Sequence, residues 1–287
     1  MRRWTGSAPA LGLLFLAWAG GAAAQPAPSC TAAGEVAFGQ VDTTSGTVAT
    51  ATGSLTVDCA GGTADTAYTV CLGPLSRPLN LSGPRAVEFD LFTDQAGAGR
   101  FAFQTATTLQ VTTNGTGQGS SRLPVYARIT TAPAQILAGI YSASVPLGGA
   151  ACSGGIAATG SLVASANVIR KCTVQVTRDV AFGVLNPGER VWTANGMLAV
   201  TCTQGVAYAI SLGPGSSGNV NARSMRSGTN TLPYGLFMDP AYAEPWGVAP
   251  KGGTGTGRSD QHPVFGRISR TPLPAPGQYR DEVGGTV

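Results

Sequence analysis

The sequence predicts an all-β protein made of two tandem antiparallel β-sandwiches, on three observations. Short runs alternate apolar and polar residues, as in Leu55, Val57 and Cys59 against Ser54, Thr56 and Asp58, and again in Leu198, Val200 and Cys202. That period of two sets one face on a core and the other in water. Forty-one glycines and nineteen prolines punctuate such runs, and no long window keeps apolar residues at helical spacing. Finally, the second half of the chain repeats the first.

The repeat runs in order along the chain. Cys30, Val36-Ala37-Phe38-Gly39, Gly53 to Cys59 and Ala67 to Pro74 return as Cys172, Val180-Ala181-Phe182-Gly183, Gly196 to Cys202 and Ala207 to Pro214. Glu88 to Asp94 returns as Pro233 to Asp239, and Pro124 to Ile129 as Pro263 to Ile268. A unit this long is a whole domain, far beyond the roughly 20–50 residues of solenoid repeats. The expected organisation is a signal peptide over 1–24, an N-terminal domain over 25–152, a connecting stretch over 153–171 and a C-terminal domain over 172–287.

The leader rests on Arg2 and Arg3, the apolar stretch Ala8 to Trp18, and Ala22-Ala23-Ala24 as a cleavage site. The competing membrane anchor is disfavoured because the run falls short of the roughly 20 residues that span a bilayer. The mature chain is therefore expected to be exported and soluble.

All six cysteines lie beyond the leader, as suits an oxidising compartment. The duplication pairs Cys30 with Cys59 and Cys172 with Cys202. It leaves Cys71, whose counterpart is Ser211, to Cys152 as a bridge special to the first domain. No CxxC occurs and His262 is the only histidine, so a metal site is the weaker reading and no cofactor is expected.

Charged residues make up 11% of the chain, against roughly 25% in an average globular domain. The surface is thus expected to be Thr, Ser, Asn and Gly. Residues 25–152 carry five basic and seven acidic side chains and residues 153–287 eleven and seven, scattered and without an aromatic-basic platform, which argues against nucleic acid. His262 reads as a surface residue, no Gly-x-Ser-x-Gly elbow occurs, and Gly252 to Gly257 lacks the Gly-Lys-Ser/Thr ending of a phosphate loop, so an enzyme is the least favoured class.

The blocks of the second copy, extended by Ala222-Arg223-Ser224-Met225, Leu232 to Phe237, Trp246-Gly247 and Pro276 to Asp281, resemble the spore coat protein U domain. That domain builds the secreted pilins of archaic chaperone-usher pili. The first copy shares only the framework blocks and has its own sequence from Arg85 to Arg122. The resemblance implies immunoglobulin-like sandwiches. It also implies that the C-terminal one is incomplete, completed first by a periplasmic pilus chaperone and then, at the outer-membrane usher, by a donor strand from the adjacent pilin subunit. An added strand covers exposed apolar side chains and pairs free backbone groups. The short tail after Tyr279 fits an unfinished domain; a frayed last strand is the alternative, since Gly284 and Gly285 weaken any strand there.

Only five residues, two of them prolines, separate the leader from Cys30, too few for a donor segment. The chain is therefore expected to accept a strand and give none, and the resemblance implies that such a subunit, with its added N-terminal domain, is a tip adhesin at the cell surface that mediates attachment to an abiotic or host surface and biofilm formation. The alternatives are a shaft or coat-like structural subunit and, further off, a secreted enzyme. Leu162, Ala164, Ala166 and Val168 alternate within the connecting stretch, which is either a donor-like strand completing the first domain within the same chain or a linker into the second. Candidate surface-binding loops of the first domain are Leu79 and Leu81, Phe101 and Phe103, and Ile136 and Leu137, apolar residues beside turns. The nearest approach to a sugar site is Asp90, Asp94 and Gln95 beside Phe89 and Phe92.

Overall fold

The computed structural model describes residues 1, 27–101, 107–149, 152, 154–269, 272 and 274–287; the leader beyond Met1 and Phe103 lie outside them. The first nine strands are β1 (Ser29–Val41), β2 (Thr50–Ala60), β3 (Ala67–Pro74), β4 (Leu79–Leu81), β5 (Val87–Phe92), β6 (Thr107–Thr112), β7 (Gly119–Ile129), β8 (Gly139–Gly148) and β9 (Ile156–Val168). They form one continuous ladder in the order β4-β5-β7-β2-β1-β9-β8-β3-β6. The second set is β10 (Cys172–Arg178), β11 (Trp192–Cys202), β12 (Ala207–Leu212), β13 (Ser224–Ser227), β14 (Asn230–Pro233), β15 (Gly235–Phe237), β16 (Lys251–Thr254), β17 (Ser259–Ile268) and β18 (Gly285–Thr286). These make a sheet β10-β11-β17-β15, a facing sheet β16-β12-β18 and the hairpin β13–β14. The protein is thus all-β, with two immunoglobulin-like domains.

Alternation in the sequence becomes alternation in burial. Along β1, Cys30, Ala32, Val36 and Phe38 turn inward while Thr31, Ala33, Glu35 and Ala37 face solvent. After Ala37 the register shifts by a bulge. Gly39 follows at φ 64° and its repeat counterpart Gly183 stands at φ 70°. The Val-Ala-Phe-Gly block therefore ends in glycine because the backbone there is left-handed, where a side chain is strained.

The two copies keep the same cross-strand register. Cys30 faces Cys59 across β1–β2 and Cys172 faces Cys202 across β10–β11. Each pair is disulfide-bonded, with Cα atoms 4.1 and 4.0 Å apart, and Cys71 is bonded to Cys152 across 6.1 Å. Phe38 meets Phe89 edge-on at 6.3 Å and Phe182 meets Tyr234 edge-on at the same 6.3 Å. Edge-to-face pairs of this kind are a preferred aromatic geometry.

The cores differ. In the first domain one cluster runs from Cys30 to Val168 and draws on strands along the whole ladder. In the second, Leu198, Val200, Ile210, Leu236, Trp246 and Val264 form one cluster and Trp192, Leu232 and Ile268 another. Between them Val174, Val180, Phe182, Tyr234, Tyr279 and Val283 are only partly buried. Arg223 is buried to 1% exposure near the first of these clusters and spends its guanidinium on the carbonyls of Leu212, Gly213, Val220 and Trp246.

Candidate functional site: an open groove in the second domain

In the first domain β9 lies between β1 and β8, parallel to the former and antiparallel to the latter. Its inward residues are Ala158, Leu162, Ala164, Ala166 and Val168, all buried. The four candidate donor residues are thus the core face of a strand within the same chain, and the stretch 156–168 is no loose linker.

Among the described residues the second domain has no strand at the matching place. β10, the counterpart of β1, pairs only with β11 and ends its sheet, while β18 ends the facing one. The last segment pairs with β12 only through Ser211–Thr286 and Leu212–Gly285, with one more main-chain bond from the Gly213 amide to the Gly284 carbonyl at 2.8 Å. Between the two edges runs a groove lined by Val174, Val176, Leu198, Leu212, Leu236, Val264, Tyr279 and Val283. It continues past Phe182 to Val184, Leu185 and Pro276. The two stretches hold about 690 and 700 Å³. Val176 is 62% exposed and Val184 88%, so apolar side chains and unpaired backbone groups stand open to water together.

The wall formed by 277–283 repeats the start of β8. The Tyr279 hydroxyl donates to the Ala275 carbonyl and the Tyr141 hydroxyl to that of Leu137, each four residues back. This fixes the alignment of Gly277, Tyr279 and Val283 with Gly139, Tyr141 and Val145. Asp281 then takes the place of Ala143. Its carboxylate accepts from the Tyr234 hydroxyl at 2.6 Å, the Ser216 amide at 2.8 Å and the Glu282 amide at 3.1 Å. Burial works to raise the Asp281 carboxyl, but these hydrogen bonds outweigh it and hold the group below the ordinary aspartate value. Burial, then the bond to Asp281 and its charge, push the Tyr234 phenol up. Sequence reading missed this pair, although aligning the two Gly-x-Tyr corners would have set Asp281 opposite Ala143.

Four of the candidate loop residues of the first domain are not exposed. Leu79, Leu81, Phe101 and Ile136 are buried at 4, 0, 1 and 2% exposure, because short strands and turns fold their apolar residues onto the core. Leu137 sits at the junction, bridging Gln204, and Ala134 packs near Gly257 of the second domain. Asp90 and Asp94 are both engaged within the domain. Arg77 and Arg100 both pair with Asp90, and Asp94 accepts from the amides of Ala98 and Gly99. His262 is not a surface residue either: it is 9% exposed and bonds the Tyr208 hydroxyl at 3.1 Å.

The end of the first domain opposite the junction is instead polar. There the turns 61–66 and 113–118 are tied by Gly62 to Gly117 at 3.1 Å and by the Thr113 hydroxyl to the carbonyls of Thr63 and Thr66. Beside them Ser29, Thr31, Asp58, Asn114, Gln118 and Ser120 line a shallow concavity. Among the described residues no group of three His, Cys, Asp or Glu stands close enough to hold a metal ion.

The Spore Coat Protein U domain model matches residues 19–147 and again 158–286. The chain belongs to that family. The second Spore Coat Protein U match begins inside β9, although that strand lies in the first domain's ladder. The fold is similar to a chain of the chaperone–tip adhesion subunit pre-assembly complex of archaic chaperone-usher Csu pili of Acinetobacter baumannii, at a TM-score of 0.54 and 16% identity, covering 90% of this chain and 99% of that one. A weaker likeness links this Spore Coat Protein U pair to the CupB6 tip adhesin of Pseudomonas aeruginosa, at 0.39 and 14% over 91% and 94% of the two chains. Comparison with curated proteins finds no match.

Proposed function

We propose that this protein is a tip adhesin subunit of an archaic chaperone-usher pilus, secreted through the periplasm and carried at the fibre end. Its second domain takes an extended strand, first from a periplasmic chaperone and then, at the outer-membrane usher, from the adjacent pilin. Its first domain meets the surface to which the cell attaches, and so serves biofilm formation.

The observation that carries this reading is the asymmetry between the two domains. The segment that leads into the second domain, where the family pattern begins, is spent inside the first as β9. One groove is thereby filled from within and one stands open, so the chain receives a strand through a site whose own would-be donor is already committed. Free ladder edges flanking apolar pockets are what strand addition completes. Surface binding falls to the polar end made by 61–66 and 113–118, farthest from the junction.

Immunogold electron microscopy of native cells, with antibody against 25–152, tests the assignment. Gold at fibre ends is expected; label along the shaft would make this a structural subunit, and label without fibres would remove it from pili altogether.

A further inference from the structure

The strand that fills the first domain is a template for what the second accepts. On its wall of the filled groove Gly139, Tyr141, Ala143 and Val145 face Val168, Ala166, Ala164 and Leu162 of β9. The wall of the open groove reads Gly277, Tyr279, Asp281 and Val283. Three positions keep their residue and one turns from methyl to carboxylate. The repeat position of Phe89 changes too, to Tyr234, whose added hydroxyl makes the 2.6 Å bond to Asp281. Two matched changes in one contact, at the one wall position facing the centre of an incoming strand, mark a polar reading point in an otherwise apolar track.

We propose that Asp281, braced by Tyr234, selects the strand that enters the groove by requiring a side chain with a hydroxyl or amide donor at the level Ala164 occupies in the first domain. The inference rests on the strand-acceptance reading above. Asp281 accepts from the Tyr234 hydroxyl and the Ser216 and Glu282 amides and lies against the Ser216 hydroxyl, whose one proton goes to the Ser224 carbonyl at 3.2 Å, so of the roughly four sites a carboxylate offers one is left for a donor. Water serves the remaining site while the groove is open. An inserted strand expels that water, and a carboxylate then left short of a partner bears the desolvation cost. Directly opposed residues of an antiparallel pair have Cβ atoms about 4.5–5.5 Å apart, within reach of a serine or threonine hydroxyl. Arg223 adds a favourable charge but donates its hydrogen bonds to main-chain carbonyls, so it does not fill the site. By the same rule the inward face of β9, Leu162, Ala164, Ala166 and Val168, offers the second groove no donor. Another copy's β9 is therefore disfavoured there, which keeps copies of this chain from threading into one another.

Two peptides test this on the full mature chain: residues 156–168, and the same with A164S. Protection of β10 and 279–287 from hydrogen exchange reports which groove is filled. The serine peptide is expected to bind about tenfold more tightly, the scale of one hydrogen bond to a charged group. That preference should fall to about twofold in Asp281→Asn and vanish in Asp281→Ala, while Tyr234→Phe, which frees a further acceptor site, keeps it. Equal binding of both peptides to the unaltered chain would overturn the selection and leave strand acceptance intact. Binding of neither would overturn strand acceptance and the selection with it.

Discussion

The hydroxyl of Tyr279 donates to the carbonyl of Ala275 at 2.7 Å, and Tyr141 makes the same bond to Leu137 at 2.8 Å. Both tie the loop before a groove wall to the first residues of that wall. Tyr279→Phe is expected to lower the stability of the second domain by about 1 kcal/mol, the net worth of one such bond. Tyr141→Phe should cost more, because Tyr141 is 1% exposed whereas Tyr279 is only half-buried. Denaturant titration of each variant measures both.

Leu162 is 1% exposed in the centre of β9, and Leu162→Ala should cost about 3 kcal/mol by leaving a cavity in the first domain. A fragment of residues 25–171 is expected to fold alone, whereas 25–152, lacking the strand, should need a chaperone. Circular dichroism and proteolysis of the two fragments decide the matter: a stable, chaperone-independent 25–152 would refute completion from within.

Arg223 holds four carbonyls at the end of β12 and beneath Trp246. Arg223→Met keeps much of the volume but strands those acceptors in a buried site, and should destabilise the second domain by about 3 kcal/mol or more. A thermal scan should show the transition of the second domain falling and that of the first unmoved.

Burial first, then the charge of Lys251, depress the His262 imidazole below its ordinary value, against the pull of Asp260. A group whose folded pKa is lowered binds its proton more readily in the unfolded chain. Its stabilising contribution is therefore complete above about pH 6.5 and is lost as pH falls through the lower folded value. His262→Gln should flatten that part of the stability profile, and the single imidazole resonance should titrate below the unfolded position.

The fold was legible because its signals are local or repeated. Alternation fixed the faces of β2 and β11, and duplication alone marked Cys30–Cys59 and Cys172–Cys202, since each pair lies directly across a ladder. The binding loops were misread for a physical reason. Leu79, Leu81 and Phe101 sit beside turn residues yet pack inward, and one sequence position cannot say which side of a short strand meets the core. Asp281 was hidden because its meaning depends on Tyr234, 47 residues away in the chain.

Three residues, Ile169 to Lys171, join the end of β9 to the start of β10. A tug on the second domain therefore pulls β9 lengthwise against β1 and β8, loading two ladders in shear so that their bonds share the strain and cannot unzip one at a time. Upstream, Cys152 anchors the head of the same segment covalently to Cys71 of β3. Under tension the bond special to the first domain acts as a stop, so the segment stays tied to its domain even where the sheets slip.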